Sequence, residues 1–169
     1  EHASELSKGI LHTEISQENI DTETKRIQNF LNNDVSNGLF GSMRQDMGSI
    51  MNKHLAVFRD QNGMEEALSQ IRSLKEDYLK IGVHDKSKTF NTNLLFTLEL
   101  GGMIECAEAI CISALEREES RGAHTRTDFP ERDDENWLKH ILVQQTSEGP
   151  ITEHSPVKIT DWEPQIRSY

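Results

Sequence analysis

Residues 91–121 carry apolar side chains nearly all the way round a helix. Leu94, Leu95, Leu98, Met103, Ile104, Ala107, Ile110, Cys111, Ala114 and Leu115 leave no wide polar face. A helix of that kind must be surrounded by other elements, so it is expected to be the central one. Asn91 or Thr92 can cap its start. Gly101, Gly102, Ala107, Ala109 and Ala114 let neighbouring helices come close. The charged stretch Glu116–Glu119 marks the departure from the core. The helix is expected to stop at Arg121–Gly122, with Gly122 left-handed.

The neighbours of that helix read from their own periods. Phe40, Met43, Met47, Ile50, Met51 and Leu55 recur at spacings of three and four, which predicts a helix over 39–56. The Met43, Met47, Met51 stripe reads as core packing rather than a partner surface. Asp60–Gly63 reads as a turn. Leu68, Ile71, Leu74, Tyr78 and Leu79 give an amphipathic helix over 64–81, which Gly82 is expected to end. Ile20, Ile27, Phe30 and Leu31 support a helix over 18–33. After residue 138 the period drops to two. Leu138–Gln145 and Pro150–Ile159 then predict two strands joined at Ser147–Gly149, with Pro156 marking the second as an edge.

The expected fold is mainly α: a three- to four-helix bundle, spectrin-repeat-like, with a small C-terminal β-hairpin and an extended tail. Residues 1–35 read as a linker or interdomain segment of partly helical character. Residues 36–137 read as the bundle with an Arg/Asp loop, and 138–169 as hairpin and tail.

Charge and cysteine usage exclude several functions. Net charge is −11 over 169 residues, which argues against nucleic acid as a partner. Hydrophobic content is 34% and mean hydropathy −0.66, and no 18-residue apolar run offers a transmembrane helix. The first residues lack an apolar signal core, and the start looks cut from something longer. Cys106 and Cys111 lie about 140° apart around a helix, too far for a disulfide, and are expected to be buried reduced thiols in a cytosol-facing protein. No Cys-x-x-Cys or His-x-x-x-His spacing suggests a metal. No Gly-x-Gly-x-x-Gly follows a strand.

Residues 119–140, Glu-Ser-Arg-Gly-Ala-His-Thr-Arg-Thr-Asp-Phe-Pro-Glu-Arg-Asp-Asp-Glu-Asn-Trp-Leu-Lys-His, are the most distinctive run. Arg121, Arg126 and Arg132 alternate with Asp128, Asp133 and Asp134. Phe129–Pro130 interrupts them, and Trp137 opens the next apolar segment. The run resembles the C-terminal region of the flavoprotein subunit of succinate dehydrogenase and fumarate reductase. Met51–Arg59, Phe90–Leu94, Leu98–Glu108 and the ending Pro164–Tyr169 are similar to further parts of that family. The resemblance covers roughly residues 36 to 169.

The resemblance implies a piece of a larger oxidoreductase. The whole subunit would interconvert succinate and fumarate with FAD and pass electrons to an iron-sulfur subunit. It would sit in the cytoplasm, peripheral to the inner face of the cell membrane through partner subunits, or on the matrix side of a mitochondrion. The flavin and substrate groups would lie upstream, so no catalytic, cofactor-binding or metal residue is expected here. The alternatives are a free-standing helical interaction module, or the equivalent domain of L-aspartate oxidase or adenylylsulfate reductase.

Arg121, His124, Arg126, Asp128, Arg132, Asp133, Asp134 and Trp137 are then the candidate contacts to the flavin-binding domain or the iron-sulfur subunit. An ion-pair network fits the Arg/Asp alternation better than a substrate clamp. His124, between two arginines, reads as a hydrogen-bonding group with its protonated form disfavoured. On this reading, Arg126→Ala or Asp133→Ala weakens assembly but spares the bundle.

Overall fold

The computed structural model describes residues 2–9 and 14–165. The chain is mainly helical, with a small antiparallel hairpin. Helix α1 is a short His2–Leu6 segment, followed by α2 (Gln17–Asn32). Helices α3 (Phe40–His54), α4 (Gln61–Tyr78) and α5 (Thr92–Glu116) each pack on the other two. Met43 and Met47 of α3, Met64, Ala67 and Ile71 of α4, and Leu100, Ile104 and Cys111 of α5 fill the core between them. The methionine stripe is therefore core, as its spacing predicts. Phe30 of α2 is buried in the same cluster, with its ring centroid 5.1 Å from that of Tyr78.

Each long helix from α2 onward, except α3, starts on a side-chain cap. Ser16 accepts from the Asn19 amide, Asp60 from Gly63 and Asn91 from Leu94. Asp60–Gly63 is thus the first turn of α4 and not a separate turn. An Asp three residues before a Gly satisfies the chemistry of a cap as well as that of a loop.

Two expected glycine stops are corrected. Helix α4 ends at Tyr78, and Gly82 lies beyond it in a buried link with Ile81 and Val83. A Cβ on Gly82 would sit 2.5 Å from the Asn33 carbonyl oxygen, so the glycine permits a backbone crossing. Helix α5 ends at Glu116, five residues before the expected stop. Gly122 is left-handed (φ 62°), but it serves a tight turn in which Arg121 and His124 exchange two backbone hydrogen bonds.

Cys111 is buried as expected, whereas Cys106 is exposed. Burial, with Glu108 nearby, pushes the Cys111 thiol up to about 11.

Two short strands, β1 (Phe58–Arg59) and β2 (Thr125–Arg126), pair in parallel and bring the Arg/Asp segment back onto the α3–α4 link. One-turn helix α6 (Asp134–Trp137) follows. Strands β3 (Lys139–Thr146) and β4 (Gly149–Pro156) then pair in register around Ser147–Glu148, with β3 lying against α5.

Candidate functional site

The end of α5 leaves carbonyls without helical partners, and the helix dipole places negative charge there. Arg126 answers both. Its side chain is 0% exposed. Nη1 donates to the carbonyls of Ala114, Leu115 and Arg117 at 3.3, 3.1 and 3.0 Å. Nε and Nη2 each donate at 2.7 Å to one oxygen of Asp128. Nη2 also reaches Gln61 Oε1 at 3.2 Å, and the guanidinium lies 4.8 Å from the Phe129 ring centroid.

Asp128 completes the link. Its Oδ2 accepts from the Gln61 amide at 2.9 Å, at the positive start of α4. One ion pair therefore joins the C-terminus of α5 to the N-terminus of α4, each charge facing the dipole end that favours it. The Arg126 fork, helped by the Gln61 amide, lowers the Asp128 carboxyl to about 2. Ser120 fixes the backbone around the pair: its hydroxyl accepts from the Arg126 amide at 2.8 Å and donates to the Phe129 carbonyl at 2.9 Å.

A second cluster centres on Glu119, whose side chain is also 0% exposed. It accepts from Arg117 Nη1 at 2.6 Å, Arg121 Nε at 2.7 Å and the Asp133 amide at 2.9 Å. Burial works against its charge, but these donors outweigh it and hold the carboxyl below its usual range. Arg121 continues to Asp134 at 2.6 Å, which also receives the Arg132 fork at 2.8 and 2.6 Å. Asp133 caps α6 by accepting from the Asn136 amide. Arg117 donates to the Trp137 and Lys139 carbonyls, and the Arg117 and Lys139 cations lie 5.5 and 4.5 Å from the Trp137 ring centroid.

His124 joins the two clusters. Arg59 Nη1 donates to its Nδ1 at 2.9 Å, so its Nε2 carries the hydrogen and faces the Arg117 carbonyl at 3.3 Å. Burial, then the charges of Arg59, Arg126 and Arg117, lower its pKa despite the Arg117 carbonyl. With Nδ1 accepting and Nε2–H facing a carbonyl, the ring engages both nitrogens, and burial above all disfavours its protonated form. The arrangement holds charges in place and offers no free base for proton transfer.

The eight candidate residues thus lie in one connected region. Glu119, Arg117, Arg59, Gln61 and Ser120 belong to the same region, though the residue pattern alone does not mark them as site residues. One signal was present for Glu119: arginines two residues either side share its face once the chain is extended. Arg126 is bound to the helix ends of the bundle itself, so its removal is expected to destabilise the fold, where the sequence pattern alone predicts that the bundle is spared.

Beside the clusters, Arg59, Ile110, Arg117, His124, Ile141 and Val143 border an open groove of 400 Å³ between α5 and β3. Further along α5, Leu95, Phe96, Met103 and Ile110 are exposed. Among the described residues no group of three His, Cys, Asp or Glu could hold a metal, and no helix is long and apolar enough to cross a membrane. Among the described residues β1 and β2 are two residues long, and no strand leads through a glycine-rich turn into a helix as in a dinucleotide-binding motif.

The chain is 42% identical over 159 residues to a fumarate reductase flavoprotein subunit of Haemophilus influenzae, covering 92% of this chain and 26% of that protein. It is 43% identical over 150 residues to the Mycobacterium tuberculosis subunit, covering 88% and 26%. Its fold matches an Escherichia coli quinol fumarate reductase structure with a TM-score of 0.78 at 32% identity, covering 90% of this chain and 27% of that one. The chain therefore spans about a quarter of the length of these relatives. Residues 44–169 match the family described as "Fumarate reductase flavoprotein C-term", and the chain belongs to that family.

Proposed function

We propose that this chain is the C-terminal helical domain of an FAD-containing flavoprotein subunit that interconverts succinate and fumarate. Its role is structural and interface-forming. The flavin and the reacting groups belong to the rest of the subunit, and electrons leave through an iron-sulfur subunit. The complex is peripheral to a membrane through other chains.

The observation that carries this reading is the outer face of α5. Leu95, Phe96, Met103, Cys106 and Ile110 fall within roughly 100° of the helix surface, and all are exposed. An apolar strip along a 25-residue helix, interrupted by the exposed Glu99, is an interaction surface. Arg59, Arg117 and His124 close one end of it, at the groove beside β3. Arg121, Arg132, Asp134 and Trp137 keep part of their surface open beside the buried clusters and are the polar rim of the interface. His124, Asp128 and Asp133 shape that rim from behind, and Arg126 fixes it to the bundle. The mutual packing of α3, α4 and α5 supports a spectrin-repeat-like bundle, a rigid carrier for such a face.

The test is split expression. The flavin-bearing remainder of the subunit is purified alone and with this chain, and flavin content and dye-coupled succinate oxidation are measured. The proposal expects no turnover from this chain, poor flavin retention by the remainder, and recovery when both are present. A remainder that is fully active alone contradicts it.

A further inference from the structure

We propose that an aspartate or glutamate side chain of the flavin-bearing part of the same subunit enters the groove between α5 and β3 and pairs there with Arg59. The inference rests on the docking role proposed above and names the contact made at one end of the docking face. Arg117, Arg121, Arg126 and Arg132 each pair with a carboxylate of this chain, at 2.6 or 2.7 Å. Arg59 is half-buried in the same region, yet among the described residues no carboxylate pairs with it. The chain holds 29 Asp and Glu against 18 Lys and Arg, so acids are plentiful and none is placed here.

What Arg59 does inside this chain needs no charge. Nε donates to the Ala56 carbonyl at 2.7 Å and Nη1 to His124 Nδ1 at 2.9 Å. A neutral amide would serve for both bonds. The guanidinium instead brings a permanent charge beside His124, which already feels the Arg117 and Arg126 cations. Burial draws the Arg59 pKa down, and the influence opposing it is the Cys111 thiol rather than a carboxylate. A half-buried charge without a counter-ion is costly, and an anion supplied from outside removes that cost on docking. Nη2 makes no hydrogen bond among the described residues, so this arm of the fork is free to donate to a carboxylate oxygen.

The groove suits an acid carried on a protein surface. Ile110 of α5 and Ile141 and Val143 of β3 give it apolar walls, and the small Ala109 and Ala114 leave room against α5. It is open along one side, so it does not enclose a small free carboxylate as a ligand pocket does. An acidic side chain with an aliphatic neighbour fills it better, the acid on Arg59 and the neighbour on Ile141 and Val143. Ile110 also belongs to the exposed strip of α5, so groove and docking face are continuous. This chain spans only 26% of the matched relatives. In such a polypeptide the flavin-bearing part is tethered to this domain, which gives it a far higher effective concentration at the groove than a separate subunit has. That favours it over the iron-sulfur subunit as the owner of the acid.

A carbodiimide joins a carboxylate to an amine in direct contact, with loss of water, but not to a guanidinium. The test therefore uses Arg59→Lys in the intact, flavin-loaded subunit, with the new bond located by mass spectrometry. The proposal expects an isopeptide bond from position 59 to an Asp or Glu of the flavin-bearing part, lost in Arg59→Ala. If Arg59→Lys does not load flavin, Val143→Lys brings an amine to another wall of the same groove and should join the same acid. Hydroxyl-radical footprinting of the same samples keeps the docking role separate. No bond from either position, with Met103 and Ile110 unreactive, overturns the ion pair and leaves the docking role standing. No bond, with both of those residues reactive, removes the ion pair and the docking role together. A bond that forms only to the iron-sulfur subunit in the assembled complex overturns the assigned owner of the acid. A bond only to an acid within residues 1–169 overturns the outside partner altogether.

Discussion

Replacing Arg126 by Ala removes six hydrogen bonds at once. Summing charged hydrogen bonds at roughly 1.5–3 kcal/mol each overstates the loss, because water enters and re-solvates Asp128 and the α5 carbonyls. The better guide is the removal of one partner from a buried pair, about 3–5 kcal/mol. That is a large share of a typical stability of about 5–15 kcal/mol. At this chain length it lowers the melting temperature by about 10 °C. Arg126→Lys keeps the charge but cannot fork onto both Asp128 oxygens and three carbonyls, so it should fall between. Adding Asp128→Ala to Arg126→Ala should recover part of the loss, since no stranded anion remains. Thermal melting by circular dichroism reads all of these. An Arg126→Ala chain that melts within about 2 °C of the parent would show that the buried pair does not hold α4 and α5 together.

Four further outcomes follow. Asp128 has a folded pKa of about 2, below its unfolded value of about 4, so its contribution is complete above that range and fades as pH falls from about 4 toward 2; acid melting should show this step, and Asp128→Asn should abolish it. Gly82→Ala should cost a few kcal/mol by urea titration, because its Cβ meets backbone at Asn33 and Asp34 and neither can yield cheaply. Iodoacetamide at pH 8 should label Cys106 quickly and leave Cys111 unmodified until the chain unfolds, as peptide mapping can show. Glu119→Gln keeps the shape but removes the charge shared by Arg117 and Arg121, and should destabilise the chain by about 1–3 kcal/mol in the same titration.

Much of the fold was legible because its signals are local. The Asn91 cap, the methionine spacing of α3 and the change to period two before the hairpin each act within a few residues. The misplaced features depend on partners distant in sequence. Helix α5 ends at Glu116, where Arg126, ten positions further on, satisfies its last carbonyls; the sequence shows only a charged run that could continue helically. Gly82 is set by a crossing with Asn33. Cys106 was expected inside because α5 is apolar all round, and its periodicity cannot say which face meets the bundle and which looks outward. The Arg/Asp alternation announced an ion-pair network, but not that Arg126 and Glu119 would be its buried centres. Only the β1–β2 pairing brings Arg59 and Gln61 to that segment.

On the proposed function, this chain docks through the outer face of α5 and the groove beside β3 onto the flavin-bearing remainder of its subunit. Titrating the isolated chain into that remainder by calorimetry, at several temperatures, tests it most directly. Docking of this kind should give saturable one-to-one binding with a negative heat-capacity change, the mark of apolar surface leaving water, weakened when Ile110 is replaced by Lys. Absence of heat and of co-elution at all temperatures, with both parts folded, would contradict it.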